Sequence, residues 1–198
     1  MQKLFEKFNK KKHAGFTLIE TLVAVSIFSL SILALLVVLT QGIANNNYAK
    51  KKIIAGYLAQ EGIEYIRNMR DTFVLYPDNA DTPTGWVDFK AYLVAASCDI
   101  GAGCYYNADT LFSIAPPKPI AKTPFYPCVV SCPNIMYKDD SGEYGYSIGS
   151  LSADSGYSRK IEVRIIGENE VEIFSTVSWA QGSGTYSMTF SEDLFNWI

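Results

Sequence analysis

An uninterrupted run of nineteen residues without a charged side chain covers positions 21–39. Apolar residues lie on every side of a helix drawn through this run, which is typical of a segment surrounded by other apolar groups. Because a helix rises about 1.5 Å per residue, such a run is long enough to cross a hydrocarbon core of about 30 Å. The pattern therefore predicts a membrane-spanning helix near the N-terminus.

The following residues, 41–71, keep the helical period but separate an apolar side from a polar one. We expect either one long helix from Phe16 to about Asp71 or two helical halves. The second half should lay its apolar face on a soluble domain. That face consists of Ala55, Leu58, Ala59, Gly62, Ile63, Ile66 and Met69.

Weak helix formers lie where the two halves meet. Gly42 and residues 45–47, which are three asparagines, each lower the helix propensity of this junction. The sequence leaves two interpretations open here, a bend or local melting of the helix, or a polar segment at the membrane interface.

Residues 72–143 are rich in turn-forming residues, and six of the eight prolines lie between Pro116 and Pro133. Proline interrupts helices and central strands, so we predict a largely irregular region held by its cysteines. A short strand or helical turn that packs on the long helix is indicated by Trp86, Val87, Phe89, Tyr92 and Leu93.

The C-terminal part, 144–198, alternates polar and apolar residues between short glycine- and asparagine-containing turns. This pattern predicts an antiparallel β-meander with strands near 158–166, 170–179 and 186–190, and a further strand near 144–148. The fold class is therefore α+β, a long helix packed on an antiparallel sheet. The face predicted to cover the helix consists of Ile161, Val163, Ile165, Val171, Ile173 and Val177.

Charge is distributed unevenly along the chain. The first fifteen residues hold five lysines and one glutamate, a charge of +4, whereas the whole chain carries −3 and the remainder therefore −7. A basic flank before an apolar span predicts a single-pass orientation with the N-terminus in the cytoplasm and the C-terminus exported. Lysines 50–52 weaken this signal, and we expect them near lipid head groups or neighbouring carboxylates. The acidic remainder disfavours nucleic acid as a partner.

The boundary between the basic leader and the apolar run carries the most informative motif. Gly15-Phe16-Thr17-Leu18-Ile19-Glu20 follows a lysine run and opens the apolar segment. This arrangement closely resembles the class III signal of type IV prepilins and type II secretion pseudopilins. A secretory signal peptide has a shorter core and a small-residue cleavage site after it, and a signal anchor leaves Gly15 and Glu20 unexplained.

The resemblance implies that a prepilin peptidase cuts after Gly15 and methylates the new N-terminus, Phe16. It implies that Glu20 pairs with the N-terminal ammonium of a neighbouring subunit during assembly. The implied partners are membrane lipid before assembly, other pilin subunits, the peptidase and an inner-membrane assembly platform. The chain would then divide into a cleaved leader 1–15, a membrane and polymerisation helix 16–40, an amphipathic helix 41–71, a loop region 72–143 and a meander 144–198.

The resemblance implies a filament subunit of the inner membrane that later reaches a cell-surface pilus or a periplasmic pseudopilus. The large loop region favours a minor pilin over a major one. The alternative is a membrane-anchored extracytoplasmic binding module that never polymerises. We expect no enzyme, because no Ser/His/Asp set, phosphate-binding loop or zinc-protease motif is present and the only histidine, His13, precedes the cleavage point.

Four cysteines fit an exported, oxidising environment. Cys98 and Cys104 are six residues apart, and Cys128 and Cys132 are four apart. Three connectivities are possible, of which we favour the local one, Cys98 with Cys104 and Cys128 with Cys132. A zinc site using all four cysteines is disfavoured by their spacing. Residues 138–143 offer acidic oxygens but not the spacing of a calcium loop, so we expect neither a metal nor a cofactor.

Overall fold

A computed structural model describes residues 15–75, 84–99, 101, 103–107, 125–138, 142–146 and 152–197. Within them lie two helices and seven strands. The helices are α1, Leu18–Leu75, and α2, Gly85–Ala95. The strands are β1 Cys104–Tyr106, β2 Phe125–Pro127, β3 Asn134–Lys138, β4 Glu143–Gly145, β5 Ser152–Ile165, β6 Glu170–Gln181 and β7 Gly184–Phe195. The chain divides after Asn47 into two units, which are described separately below.

Helix α1 is continuous over 58 residues, through Gly42 and the three asparagines. The structure therefore contains one long helix rather than two halves. It begins two residues after Phe16 and extends four residues beyond Asp71. Extra buried contacts explain the longer C-terminal end, since Phe73 lies in the core at 7% exposure.

The strands form one antiparallel sheet in which β5 is the central element. One edge of β5 pairs with β6, which pairs in turn with β7. The other edge of β5 pairs first with β3 and then, at Ile161, with β1. Strands β4 and β2 pair with β3 and β1 respectively. Strand β7 thus has a neighbour on one side only among the described strands.

The predicted meander and its helix-facing side are largely confirmed. Ile161, Val163, Val171, Ile173 and Val177 are all buried, as are all seven predicted apolar residues of α1. The prediction for Ile165 is wrong, because this side chain is 45% exposed at the end of β5. Ile165 lines an open pocket of about 320 Å³ beside Leu93 and Val94, at the rim of the sheet.

Regular elements within residues 72–143 correct the prediction of an irregular region. Helix α2 buries Trp86, Phe89 and Leu93, three residues at helical spacing, against Phe73 of α1 and the sheet. The indole nitrogen of Trp86 donates a hydrogen bond to the carbonyl oxygen of Glu168 at 2.6 Å. The sequence allowed either a short strand or a helical turn here, and the structure contains a helix. Strands β1 to β4 are only three to five residues long.

One cation is buried between α1 and the sheet. The side chain of Arg159 on β5 is 3% exposed. It donates hydrogen bonds to the Leu58 carbonyl oxygen at 3.1 Å and the Glu61 carboxylate at 2.9 Å. Its guanidinium carbon lies 4.4 Å from the centroid of the Tyr106 ring. Burial disfavours the charge, but Tyr106 and Glu61 outweigh it and hold the pKa of Arg159 above its ordinary value. Arg159 therefore ties α1 to β5 as a charged group.

Two glycines of α1 offer a matched test of how closely the helix packs on the sheet. A Cβ at Gly62 would lie 2.3 Å from Ser175 Oγ and 3.0 Å from Ile161 Cδ1, whereas one at Gly56 would make an ordinary 3.5 Å contact with Met188. We expect Gly62→Ala to lower the free energy of unfolding by about 1–2 kcal/mol, because overpacking outweighs the gain of about 1 kcal/mol in helix propensity.

Gly56→Ala serves as the control and should raise the free energy of unfolding by about 0.5–1 kcal/mol. Denaturant unfolding of the full chain in detergent, followed by tryptophan fluorescence, measures both values. Ser175→Ala should recover part of the loss in Gly62→Ala. Equal stabilisation by the two alanines would show that the helix does not pack closely at Gly62.

Candidate functional site

The start of α1 holds three of the residues singled out by the sequence. Gly15 and Phe16 precede the helix and are exposed, Phe16 at 81%. Glu20 lies in the first helical turn, where its negative charge is favourable to the helix dipole. The bond between Gly15 and Phe16 therefore lies outside the hydrogen-bonded helix, next to a turn that carries a carboxylate.

Thr17 caps this helix. Its hydroxyl oxygen accepts a hydrogen bond from the backbone N–H of Glu20 at 3.3 Å, and its carbonyl oxygen accepts one from the N–H of Thr21 at 3.2 Å. Threonine followed three residues later by glutamate is a recognised helix-start pattern, which satisfies backbone donors at the helix end. Sequence reasoning missed this role of Thr17, although the Thr-x-x-Glu spacing carries the signal.

The first unit presents apolar side chains to its surroundings. Between Phe16 and Leu39, the large apolar residues expose between 42% and 83% of their surface. In this unit α1 is long and apolar enough to cross a membrane. Soluble proteins rarely leave an apolar surface of this length in contact with water, so lipid or another protein normally covers it. The apolar N-terminal helix therefore indicates membrane anchoring.

Four hydroxyl groups of the apolar segment are satisfied within the helix itself. The hydroxyls of Thr21, Ser26, Ser31 and Thr40 donate to backbone carbonyl oxygens three or four residues earlier, at 2.8–2.9 Å. Lipid offers no hydrogen-bond partner, so a polar group in a span must find one in the protein. These four hydroxyls are compatible with an apolar environment, whereas Glu20 is the one acidic side chain between Phe16 and Thr40.

The cysteines of the second unit form the two local disulfides favoured from the sequence. Cys98 joins Cys104 and Cys128 joins Cys132, with Cα–Cα distances of 4.7 and 4.6 Å. The pairing leaves no free thiolate, which rules out the alternative of a four-cysteine zinc site. The first disulfide is buried in the core between α2 and β1. The second closes a five-residue loop in which Val129 and Val130 are 89% and 97% exposed.

The acidic segment considered for calcium lies only partly within the described chain. Asp139, Asp140 and Ser141 fall outside the described residues. Among the residues that the structure does describe, no group of three or more His, Cys, Asp or Glu side chains is placed to hold a metal ion.

The structure keeps the sequence-derived site residues in two separate sets. Gly15, Phe16 and Glu20 lie within six residues at the start of α1, in the first unit. The cysteines belong to the second unit, as covalent ties rather than reactive groups. The chemistry suggested by the sequence thus concentrates in the helix start.

Comparison with known proteins agrees with this location. Searches of the curated proteins and of the solved structures found no match to this chain. Residues 10–38 match the family model described as the prokaryotic N-terminal methylation motif. The matched range covers the lysine run, the Gly15–Phe16 bond, Glu20 and most of the apolar span. The chain therefore carries the prokaryotic N-terminal methylation motif, which is consistent with a class III signal like that of type IV prepilins.

Proposed function

We propose that this protein is a subunit of a type IV pilus or of a type II secretion pseudopilus, in the role of a minor pilin. A prepilin peptidase cuts after Gly15 and methylates Phe16, and the mature chain assembles through α1. The observation that carries the proposal is the methylation motif at residues 10–38, placed at the start of a helix whose apolar surface is exposed.

The leader explains why processing and assembly follow in that order. With a charge of +4, it would have to cross the bilayer for an uncleaved subunit to leave the membrane. Once the leader is removed, the apolar surface of α1 exchanges lipid for the helices of other subunits. That exchange costs little, because lipid tails and apolar side chains are similar environments.

Glu20 gives this exchange a preferred register. An unpaired carboxylate in an apolar bundle costs several kcal/mol, and the N-terminal ammonium of a neighbouring Phe16 would neutralise it. The pair forms only at one axial offset between adjacent helices. The assembly partners are therefore other pilin subunits on an inner-membrane assembly platform.

Localisation follows from the same elements. Before assembly the chain is a single-pass protein of the inner membrane, with its N-terminus in the cytoplasm and its second unit exported. The two disulfides support an oxidising, extracytoplasmic location for that unit. The minor role is supported by the elaborated region between α1 and β5, and we propose a structural rather than an enzymatic function.

Intact-mass and N-terminal peptide mass spectrometry tests the proposal on protein from its native membrane and from sheared surface filaments. The expected chain starts at methylated Phe16 and lacks four hydrogens because of two disulfides. Its presence at low abundance in the sheared fraction would agree with a minor subunit. A chain that still starts at Met1, or that is cut beyond Leu39, would contradict the proposal and favour an anchored binding module.

A further inference from the structure

Strand β7 ends the described sheet with an edge that no described strand covers, and its first eight residues carry no charged side chain. It pairs with β6 over all twelve residues, without a register shift. No described strand pairs with its other side. Natural proteins commonly protect such edges with proline, lysine, a bulge or a short strand. Strand β7 contains neither proline nor lysine and has no bulge.

The hairpin between β6 and β7 determines which backbone groups point outward. Gln181 pairs with Gly184 across the two-residue turn of Gly182 and Ser183, and Gly182 has a φ of 60°. In a two-residue hairpin the closing pair is hydrogen-bonded, and hydrogen-bonded pairs then alternate along the strands. The residues whose backbone N–H and C=O groups point away from β6 are therefore Thr185, Ser187, Thr189, Ser191, Asp193 and Phe195. The carbonyl oxygen of Phe195 accepts a hydrogen bond from Arg70.

A groove lies beside this edge, between α1 and β7. It encloses about 550 Å³ and is lined by Gln60, Ile63, Glu64 and Arg67 of α1 and by residues 189–192. Phe190 contributes an apolar surface that is 38% exposed. Two positions further along β7, Glu192 contributes a carboxylate. The groove thus has an apolar part and an acidic part about 7 Å apart along the strand.

The charges of the groove leave one carboxylate in excess. Arg67 binds the Glu192 carboxylate at 2.6 Å and that of Glu64 at 2.8 Å. One guanidinium against two carboxylates gives the lining residues a net charge of −1. The Glu64 side chain is the more accessible of the two, at 45% against 27% exposure. A cationic side chain entering the groove would therefore find a complementary charge at Glu64.

Antiparallel pairing of β7 with the β7 of a second copy does not fit this arrangement. Tyr48, Arg67 and Arg70 of α1 contact Tyr186, Glu192 and Phe195 of β7, in the same order along both elements. Helix and strand thus run in the same direction. Antiparallel pairing of two β7 edges would set the two α1 helices antiparallel, whereas subunits anchored in one membrane have parallel helices. This exclusion rests on the proposed function.

We propose that the β7 edge and the adjoining groove bind an extended polypeptide segment of a partner protein, which adds a strand to the sheet. The backbone of the segment pairs with the outward-facing residues of β7 from Thr185 to Asp193. Its side chains on the α1 side enter the groove, with an apolar side chain next to Phe190 and a lysine or arginine next to Glu64 and Glu192. The recognised pattern is therefore an apolar and a basic residue two positions apart.

A library of random dodecapeptides displayed on phage tests this proposal, with the full chain held in lipid nanodiscs as the target. We expect the wild type to select peptides that alternate in polarity and carry the apolar-x-basic spacing. The double variant Ser187→Pro with Ser191→Pro removes two outward N–H donors and should lower the recovery of those peptides at least tenfold. Ser187→Ala with Ser191→Ala keeps the donors and should select like the wild type.

Further variants and controls separate the possible outcomes. Glu64→Gln should remove the preference for lysine or arginine while backbone recognition remains. Unchanged disulfide masses and unfolding midpoint in the proline variant show that it folds. The proposal is overturned if the wild type selects nothing, if the folded proline variant selects the same peptides, or if two copies associate through β7. Peptide binding in nanodiscs requires neither cleavage nor polymerisation of the chain. A negative result would therefore overturn the peptide-binding proposal alone, and the proposed pilin-like function would still be tested by the mass spectrometry described above.

Discussion

Replacing Gly15 by leucine should leave the chain uncut and confined to the membrane. A leucine side chain here requires no adjustment of the fold, since a Cβ at Gly15 would have no atom of the described residues within 4 Å. Any loss of cleavage must then arise in the complex with the peptidase, where a residue next to the cut bond contacts the catalytic groups. We expect the cleaved fraction to fall at least ~10-fold, equivalent to about 1.4 kcal/mol of transition-state binding.

Gly42→Leu is the matched control, because a Cβ at Gly42 also meets no described atom within 4 Å. Both variants add the same apolar surface to the first unit, but only one changes the cut bond. Mass spectrometry of membrane fractions should find Gly42→Leu starting at Phe16 and Gly15→Leu starting at Met1. Normal cleavage of Gly15→Leu would show that the peptidase does not require glycine at this position. That result would contradict the proposed processing.

Glu20→Ala should separate cleavage from assembly. We expect the variant to be cut after Gly15 as efficiently as the wild type, but its amount in sheared filaments to fall ~10-fold or more. The reason is that the alanine removes the carboxylate that would pair with a neighbour's N-terminal ammonium, and such a pair is strong in an apolar surrounding. Quantitative mass spectrometry of membrane and filament fractions measures both quantities in one sample.

Thr17→Ala controls for a change in the helix start itself. Loss of an N-cap costs about 1 kcal/mol of helix stability, and Thr17 is the cap whose hydroxyl accepts the Glu20 N–H. Because Thr17→Ala keeps the carboxylate, we expect it to enter filaments nearly as well as the wild type. Equal losses in the two variants would trace the effect to the helix start, and wild-type incorporation of Glu20→Ala would refute the pairing.

The sequence was informative wherever a residue pattern repeated with one period over many residues. The three- and four-residue spacing of apolar side chains on α1 predicted seven of its nine buried residues, all except Tyr65 and Phe73. Alternation along β5 and β6 predicted the helix-facing side of the sheet, except at Ile165. Ile165 lies on the predicted face of β5, but it is at the rim of the sheet beside an open pocket. Alternation along a strand determines which face of the sheet a residue lies on. It does not determine how far the covering helices extend over that face.

Elements whose partners are distant in sequence were not predictable. Strands β1 to β4 are too short to show alternation, and they exist because β5, or a strand paired with it, supplies hydrogen bonds. From the sequence alone, Arg159 would be assigned to the protein surface because it is charged. Only the packed structure brings Glu61, the Leu58 carbonyl and the Tyr106 ring around its guanidinium. The open edge of β7 likewise follows from the strand order, which no local pattern encodes.

The short span of both disulfides has a consequence for how the second unit matures. Each bond closes a loop of only five or seven residues, so the two sulfurs of a pair meet at high effective concentration even in an unfolded chain. In the chain-entropy description, loops of this size stabilise the fold by only about 2 kcal/mol each. Correct pairing can thus precede folding and needs no later exchange. If the second unit is exported as proposed, each bond would form as soon as its second cysteine reaches the oxidising side of the membrane.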